Sequence, residues 1–201
     1  MQATQLRPPT APASDYDQCV LLHDVTWAEY EARASARGES AVPRLTYDRG
    51  TLEIMSPSKN HEHIKKTLAR LLEQWALETN KTLEGYGSWT LKDATVERGL
   101  EPDECYVLGE RDAERPDLAI EVVWTSRLLD KLAVYAALQI PEVWVWEKDA
   151  LAVHVLREGQ YERAARSALL PDVDLPLLAR LASYASATRA IAELREILSR
   201  G

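Results

Sequence analysis

The apolar positions in the first part of the chain change from a helical to an extended period. Thr26 can cap a helix that starts at Trp27 and ends at Gly38. Residues 45–47 and 52–55 form two extended runs joined by a short polar turn, which predicts a β-hairpin.

The longest helical pattern follows the hairpin. Residues 56–60 open it and it should end near Asn80; its buried stripe consists of Ile64, Leu68, Leu71, Leu72 and Trp75. A strand is predicted over residues 83–89, followed by a polar segment that extends to Gly99.

The second half of the chain alternates strands and helices. Strands are predicted over 103–108, 117–123, 142–146 and 151–156, and helices over about 126–139, 175–181 and 188–198. In the helix over 126–139 the inner stripe would be Leu128, Leu132, Tyr135 and Ala136. A strand–helix–strand unit at 117–147 requires a right-handed crossover, so its two strands should be parallel. We therefore predict an α/β fold with a mixed β-sheet flanked by helices, preceded by an N-terminal helix and hairpin.

The length of 201 residues is typical of one domain. Pro8, Pro9 and Pro12 lie among small polar residues, which predicts a flexible tail over 1–18 and a single domain over 19–201. Cys19 and Cys105 lack metal-ligand spacing and indicate reduced thiols. With no signal-like or membrane-spanning segment, we expect a cytoplasmic protein without membrane contact.

The net charge of −8 limits the choice of partners. Proteins that bind nucleic acids tightly usually carry a basic excess, because phosphate contacts dominate their affinity. Any nucleic acid would therefore bind weakly or transiently, through a local basic surface. Such a group, formed by Lys59, Lys65, Lys66 and Arg70, lies on the longest predicted helix, although a solvated helix face is the simpler interpretation of it.

Glu121 is the first candidate for chemistry. Leu118, Ile120 and Val122 form one apolar face of its strand, so Glu121 points to the opposite face. A buried carboxylate is costly unless it is paired, hydrogen-bonded or bound to a cation. Glu121 could therefore form a salt bridge or bind a metal ion.

A metal ion would need a second carboxylate, and two candidates compete for that role. Asp117 shares the strand and face of Glu121, but four residues along a strand span roughly 13 Å. Asp103 can lie on the neighbouring strand, only about 5 Å away laterally. Asp103 is therefore the better partner, although it could also be a simple turn residue after Pro102.

The order of several motifs resembles one family of nucleases. These are Pro102-Asp103, Glu121 eighteen residues later, the 52–57 run Leu-Glu-Ile-Met-Ser-Pro, His61, the 116–122 run, Asp130-Lys131 with Tyr135, and the 140–144 run. Together they resemble the Uma-type family of putative restriction endonucleases, once catalogued as a domain of unknown function and belonging to the PD-(D/E)XK nuclease superfamily. The resemblance covers roughly residues 20–180 and implies a restriction-endonuclease-like fold.

The chain departs from the superfamily pattern at the lysine. An acid-x-Lys triplet would place it at position 123, which is Val123 here. The resemblance implies that Lys131, on the following helix, takes its place. The Ser-Pro-Ser of the family is replaced by Trp124-Thr125-Ser126.

The resemblance also implies a mechanism. Asp103, Glu121 and the backbone carbonyl of Val122 would hold Mg²⁺ or Mn²⁺, and Lys131 would orient the nucleophile or neutralise the phosphate. His61 and Glu53 would support this site. From position alone, Lys131 could be a solvated lysine, His61 a core histidine and Glu53 an exposed strand residue.

Three functions remain open at this stage. The first is a metal-dependent DNA endonuclease. The second is a catalytically silent module that acts through protein partners, or through a homodimer formed by the apolar face of the C-terminal helix with Ile191, Leu194, Ile197 and Leu198. The third is an enzyme that acts on another phosphoester.

Overall fold

The computed structural model describes residues 15–38, 40–125 and 128–200. Within these ranges the strands are β1 (Gln18–Leu22), β2 (Arg44–Asp48), β3 (Thr51–Ser56), β4 (Leu83–Gly85), β5 (Leu91–Asp93), β6 (Arg98–Leu100), β7 (Glu104–Leu108), β8 (Leu118–Val123), β9 (Glu142–Glu147), β10 (Ala150–Arg157) and β11 (Gln160–Ala164). The helices are α1 (Trp27–Arg37), α2 (Lys59–Glu78), α3 (Lys131–Ala137), α4 (Leu175–Ala182) and α5 (Ala187–Leu198).

The strands form two sheets rather than the one sheet that we expected. The first has the order β1-β3-β2-β6-β5 and all its described pairings are antiparallel. The second has the order β11-β10-β9-β8-β7-β4 and is mixed, because β8 and β9 are parallel and the other pairs are antiparallel. The predicted parallel pairing of the two strands on either side of α3 is thereby confirmed, and the α/β class with it.

Alternation along β8 divides the apolar core. Leu118, Ile120 and Val122 belong to a cluster with the buried stripes of α2, α4 and α5. Ala119, on the opposite face, packs in a second cluster with α3 and with Leu91 and Leu100 of the first sheet. Glu121 faces that second side, as its position in the strand predicts.

Local signals in the sequence set the ends of several elements. Thr26 and Glu29 form a reciprocal capping box at the start of α1, and Gly38 ends the helix with φ of 63°. β2 and β3 form the predicted hairpin, and their register places Leu45 opposite Ile54. Ser58 caps α2 through the His61 backbone N–H.

Other sequence-based boundaries are wrong. β4 covers only three residues of the predicted 83–89 strand. The polar segment before Gly99 contains the strand β5, which pairs with β6. β1 and β11 were not predicted. α3 begins at Lys131 and is capped by Asp130. Leu128 therefore lies before the helix, where it is half exposed, and it does not belong to the inner stripe. Ser126, the predicted first residue of this helix, lies outside the described residues. Short exposed strands have no long alternation of apolar and polar residues. Whether such a segment forms a strand depends on pairing with its neighbours in the sheet.

The N-terminal segment is described from residue 15 onward, so residues 1–14 of the predicted tail lie outside the described part. Gln18 already belongs to β1, which pairs with β3. The division into a tail and one domain stays a prediction. None of the described helices has the length and apolar character that crossing a bilayer requires.

The apolar face of α5 packs within this chain. Leu194 and Ala190 are fully buried against the cluster that contains α2 and α4. Ile197 is 38% exposed, so only the last turn of this face is open to solvent. The face that could have formed a homodimer is thus largely occupied.

Shortening Leu194 should destabilise the fold. We expect Leu194→Ala to lower the free energy of unfolding by about 2–5 kcal/mol, because it leaves a cavity in a closed core. Ile197→Ala, on the same helix, is the control and should cost about 0.5 kcal/mol or less. Urea unfolding measures both; equal losses would contradict internal packing of α5.

Candidate functional site

A cavity of about 50 Å³ lies where the start of α2, the end of β8 and α3 meet β1 and β3 of the first sheet. Its volume suits a few water molecules or an ion with its waters, since pockets for drug-sized ligands measure about 300–1,000 Å³. The polar side chains in its lining include Asp17, Cys19, Glu53, His61, Glu121 and Lys131.

Glu121 is held by two donors from one helix. Lys131 Nζ lies 2.8 Å from Glu121 Oε2, and the Tyr135 hydroxyl donates to Oε1. Lys131 and Tyr135 are four residues apart, so they share one face of α3. Burial, and then the neighbouring Glu121, raise the pKa of Tyr135 well above its ordinary value, so the hydroxyl keeps its proton.

Lys131 therefore reaches back to the acid on β8, as predicted for a lysine on the crossover helix. Its side chain is 18% exposed, and it is not a solvated surface lysine. Val123, where the superfamily has its lysine, also lines the cavity.

Glu53 is a second carboxylate in the cavity. It is only 5% exposed, so the interpretation as a solvent-exposed strand acid is wrong. Burial raises its pKa, Lys131 opposes that change, and Glu121 adds to it. The backbone N–H groups of Leu128 and Leu129 also act on this carboxylate and lower its pKa.

Asp103 is fully buried beside the backbone of β8. Its Oδ2 accepts the Val122 N–H at 2.6 Å, and its Oδ1 lies 3.0 Å from His61 Nε2 and forms an ion pair with Arg44. This carboxylate joins β8 to α2, which is more than a turn residue would do. Asp103 is not among the described residues that line the cavity, but it contacts two of them, His61 and Val122.

Arg44 supplies the charge that Asp103 needs. The guanidinium is 2% exposed, and it also bonds Glu62 Oε1 at 2.8 Å and lies 3.2 Å from His61 Nε2. The buried arginine gives Asp103 a partner of opposite charge, so this carboxylate is not an unpaired buried charge when no metal ion is bound.

His61 faces inward, as its place on the α2 stripe predicts. Its Nδ1 lies 3.1 Å from Asp17 Oδ2. Asp17 Oδ1 accepts the Ser58 N–H at 2.8 Å. Burial acts to raise the pKa of Asp17, but the bonds from His61 and Ser58 outweigh it and lower the pKa.

Charge balance tests whether the site suits a divalent cation. Among the described residues around the cavity and His61, four carboxylates that are at most 7% exposed (Asp17, Glu53, Asp103 and Glu121) meet two cations, the buried Arg44 and the partly buried Lys131. An unbalanced buried charge is costly, and carboxylate oxygens are the ligands that Mg²⁺ prefers, usually one or two together with waters. Glu53 and Glu121 in the cavity fit such an ion.

These carboxylates do not by themselves form a complete set of metal ligands. Across residues 15–38, 40–125 and 128–200, no three His, Cys, Asp or Glu side chains are arranged as a metal site. Asp103 already has partners on both oxygens. A carboxylate offers about four acceptor positions, so Oδ2 keeps a free one after binding the Val122 N–H.

Three residues of the site were given no role from the sequence. Tyr135 could have been assigned from its spacing to Lys131, since both lie on one helix face. Arg44 opens a strand and Asp17 falls within the predicted tail, so neither carries a local signal. Their roles come from contacts between elements far apart in the chain.

The basic group on α2 is partly used inside the protein. Lys65 Nζ pairs with Glu62 Oε2 at 2.8 Å, whereas Lys59, Lys66 and Arg70 are exposed. The three exposed residues recur at helical spacing and form one positively charged stripe. Asp117 lies away from the site, where it accepts the Leu108 N–H and binds Arg111.

Comparison with known proteins gives the family of this chain. The family model Uma2, described as "Putative restriction endonuclease", matches residues 27–185. The chain belongs to this family. The match includes Glu53, Asp103, Glu121 and Lys131, while Asp17 lies outside it. No curated protein matches the chain.

The fold of this Uma2 chain is similar to a solved structure. It is described as a putative nuclease belonging to DUF820, from Anabaena variabilis ATCC 29413. The two chains are 14% identical, with a TM-score of 0.51, over 85% of this chain and 99% of the other. At this identity the likeness supports the restriction-endonuclease-like fold and nothing finer.

Neutralising Glu53 should stabilise the metal-free protein. Folding raises the pKa of Glu53, so its stabilising contribution is present at low pH and is lost as the pH rises through the folded-state pKa. We expect Glu53→Gln to have the higher melting temperature at neutral pH in chelator. The difference should shrink as the pH falls toward the ordinary value of 4.5.

Glu84→Gln, at an exposed position of β4, is the matched control and should follow the wild type at every pH. Thermal unfolding followed by circular dichroism gives all three curves. If Glu53→Gln and Glu84→Gln shift the melting temperature alike, burial of the Glu53 carboxylate does not destabilise the protein.

Proposed function

We propose that this Uma2 chain is a divalent-metal-dependent endonuclease that hydrolyses phosphodiester bonds in DNA. The observation that carries the proposal is the buried Glu121 carboxylate. It lies at a cavity, is held by Lys131 and shares the cavity with Glu53. A structural acid would need a partner, but it would not need a second buried carboxylate beside it.

The cation would bind Glu121, the free position on Asp103 Oδ2 and the backbone carbonyl of Val122, with Glu53 as a further oxygen ligand. Mg²⁺ and Mn²⁺ suit this all-oxygen set. When bound, such an ion lowers the pKa of a coordinated water and offsets charge that develops on the phosphate.

Lys131 has a separate task in this proposal. Its ammonium group carries three donors, and one is used by Glu121. The others can orient the attacking water or bind a non-bridging phosphate oxygen, which stabilises negative charge in the transition state. Tyr135 keeps the Glu121 carboxylate in place while Lys131 acts.

The substrate would bind weakly. The net charge of −8 opposes DNA, and the stripe of Lys59, Lys66 and Arg70 offers only a small area of the opposite sign. Transient binding is compatible with turnover. The proposed enzyme would act in the cytoplasm.

One observation favours a catalytically silent module instead. Arg44 already neutralises Asp103, as a metal ion would. In that case the fold would keep its buried ion pairs for stability and would act through protein partners. The same assay separates the two functions.

Removing the Lys131 charge should slow cleavage strongly. We expect Lys131→Met to reduce kcat on plasmid DNA by about 10²-fold or more in Mg²⁺ or Mn²⁺, the usual loss when a donor to a developing charge is removed. Asp103→Ala and Glu121→Gln should also be inactive and should lose metal binding in calorimetry.

Lys81→Met is the matched control, because Lys81 follows the far end of α2 from the cavity and is half exposed. It should nick plasmid at the wild-type rate. Equal residual nicking by the wild type and Lys131→Met would remove the nuclease proposal and leave the silent module.

A further inference from the structure

The exposed face of α2 carries three positive charges that form no ion pair or hydrogen bond among the described residues. They belong to Lys59, Lys66 and Arg70. Glu62, the acid beside them on the helix, is bonded by Lys65 and by Arg44, each at 2.8 Å. The three charges are therefore available to a partner outside the chain.

Helix geometry aligns these three residues into the stripe. At about 100° per residue, they fall within about 40° of one another around the helix axis, and at 1.5 Å per residue they span about 16 Å. The opposite face of α2 is apolar and is buried in the core. The stripe thus points to solvent and can lie against an extended partner.

The positive half of α2 is the half nearest the cavity. Lys59 is the first residue of the helix, two positions before His61, which lines the cavity. Beyond Arg70 the same face continues with the exposed Glu73 and with Leu77, which is 74% exposed. A partner bound by the stripe would therefore lie beside the cavity and not at the far end of the helix.

A row of exposed cations on a chain with a net charge of −8 fits a polyanion. One strand of duplex DNA carries a phosphate about every 3.4 Å of helix axis, so the stripe would face roughly five phosphates. An acidic protein segment could also bind cations. The carboxylates and the lysine of the neighbouring cavity favour DNA, because they suit hydrolysis of a phosphodiester bond.

We propose that Lys59, Lys66 and Arg70 bind phosphates of one DNA strand and hold that strand beside the cavity, without selecting a base sequence. Phosphate contacts fix the position of a strand but carry no direct information about its sequence. The role in turnover rests on the proposed function, whereas strand binding can be measured without metal and without cleavage.

The salt dependence of binding tests the phosphate contacts. Each contact releases counterions, so log K should fall with log salt concentration with a slope of about −0.9 per phosphate. Fluorescence anisotropy with full-length protein, chelator and a labelled duplex of about 30 base pairs measures this slope between about 20 and 150 mM KCl.

The stripe variant combines Lys59→Gln, Lys66→Gln and Arg70→Gln. We expect it to bind at least about tenfold more weakly at the lowest salt, with a slope that is smaller in magnitude by about 2–3. A second duplex of unrelated sequence should be weakened equally. Glutamine is a good helix former, so the variant should fold, and its melting curve by circular dichroism checks this.

Two matched variants separate the position of the charges from their number. The first combines Arg157→Gln, Arg163→Gln and Arg166→Gln, at exposed positions on or next to β10 and β11, at the opposite edge of the second sheet from β4. The second combines Lys59→Arg, Lys66→Arg and Arg70→Lys, which keeps the charges of the stripe. Both should keep the wild-type slope.

Several outcomes contradict the proposal. Equal weakening by the stripe variant and by the variant at β10 and β11 would mean that net charge alone acts. A wild type that binds neither duplex at the lowest salt, or a loss that depends on the sequence of the duplex, overturns the proposal too. An unchanged slope in the stripe variant would also overturn it and leave an acidic protein as the partner.

Kinetics separates this surface from the catalytic groups. With Mg²⁺ or Mn²⁺ we expect the stripe variant to raise KM for plasmid DNA about tenfold or more and to keep kcat within about twofold, because these contacts are equal in the ground and transition states. Cleavage with an unchanged KM would disprove the surface and leave the proposed function. A wild type that binds DNA through the stripe but never cleaves it would disprove the proposed function and leave the surface.

Discussion

The rest of the site depends on one constraint, the burial of the Glu121 carboxylate within β8. β8 lies inside the second sheet, with apolar clusters on both faces, and the Glu121 side chain is only 6% exposed, so bulk water cannot fully solvate its charge. The carboxylate therefore needs donors from the protein. α3 provides both of them, Lys131 and Tyr135, and the parallel crossover from β8 to β9 places α3 over that face.

The same constraint explains the polar residues around the cavity. Once Glu121 and Asp103 are buried, each needs a positive partner, and the fold supplies Lys131 to one and Arg44 to the other. Glu53 and Asp17 then bring the number of carboxylates to two more than the number of cations. Asp17 is stabilised by hydrogen bonds from Ser58 and His61, whereas burial raises the pKa of Glu53. The deficit of positive charge is concentrated at the cavity, where a divalent cation would correct it.

This arrangement separates two kinds of carboxylate. Glu53 and Glu121 line the cavity, and neither of them contacts His61; Asp17 lines it as well. Asp103 and Asp17 lie within hydrogen-bonding distance of the two ring nitrogens of His61, and Asp103 also accepts the Val122 N–H. These contacts join β8 and the segment before β1 to the start of α2. In the proposed nuclease Glu121, Asp103 and Glu53 would hold the cation, and Asp17 would contribute only through its contact with His61. A silent module would need the bonds of the second pair alone.

The sequence by itself determined the elements whose patterns are long or sharply punctuated. These include α1 between Thr26 and Gly38, the hairpin of β2 and β3, α2 with its apolar stripe, and the β8–α3–β9 unit. It also determined that Glu121 points away from the apolar face of β8, because alternation along a strand is fixed by its geometry. The motif order was enough to identify the family.

Only the tertiary structure decided how many sheets there are and which side chains complete the site. β1, β5 and β11 are short, and pairing with distant strands, not local pattern, makes them strands. Arg44, Asp17 and Asp103 are 27 to 86 positions apart in the chain, and no periodicity links residues so distant. Their convergence on His61 comes from contacts of the segment before β1, of the start of β2 and of the residue before β7 with the start of α2. The reason is physical: the free energy of a buried charge depends on its neighbours in space, and a sequence lists only its neighbours along the chain.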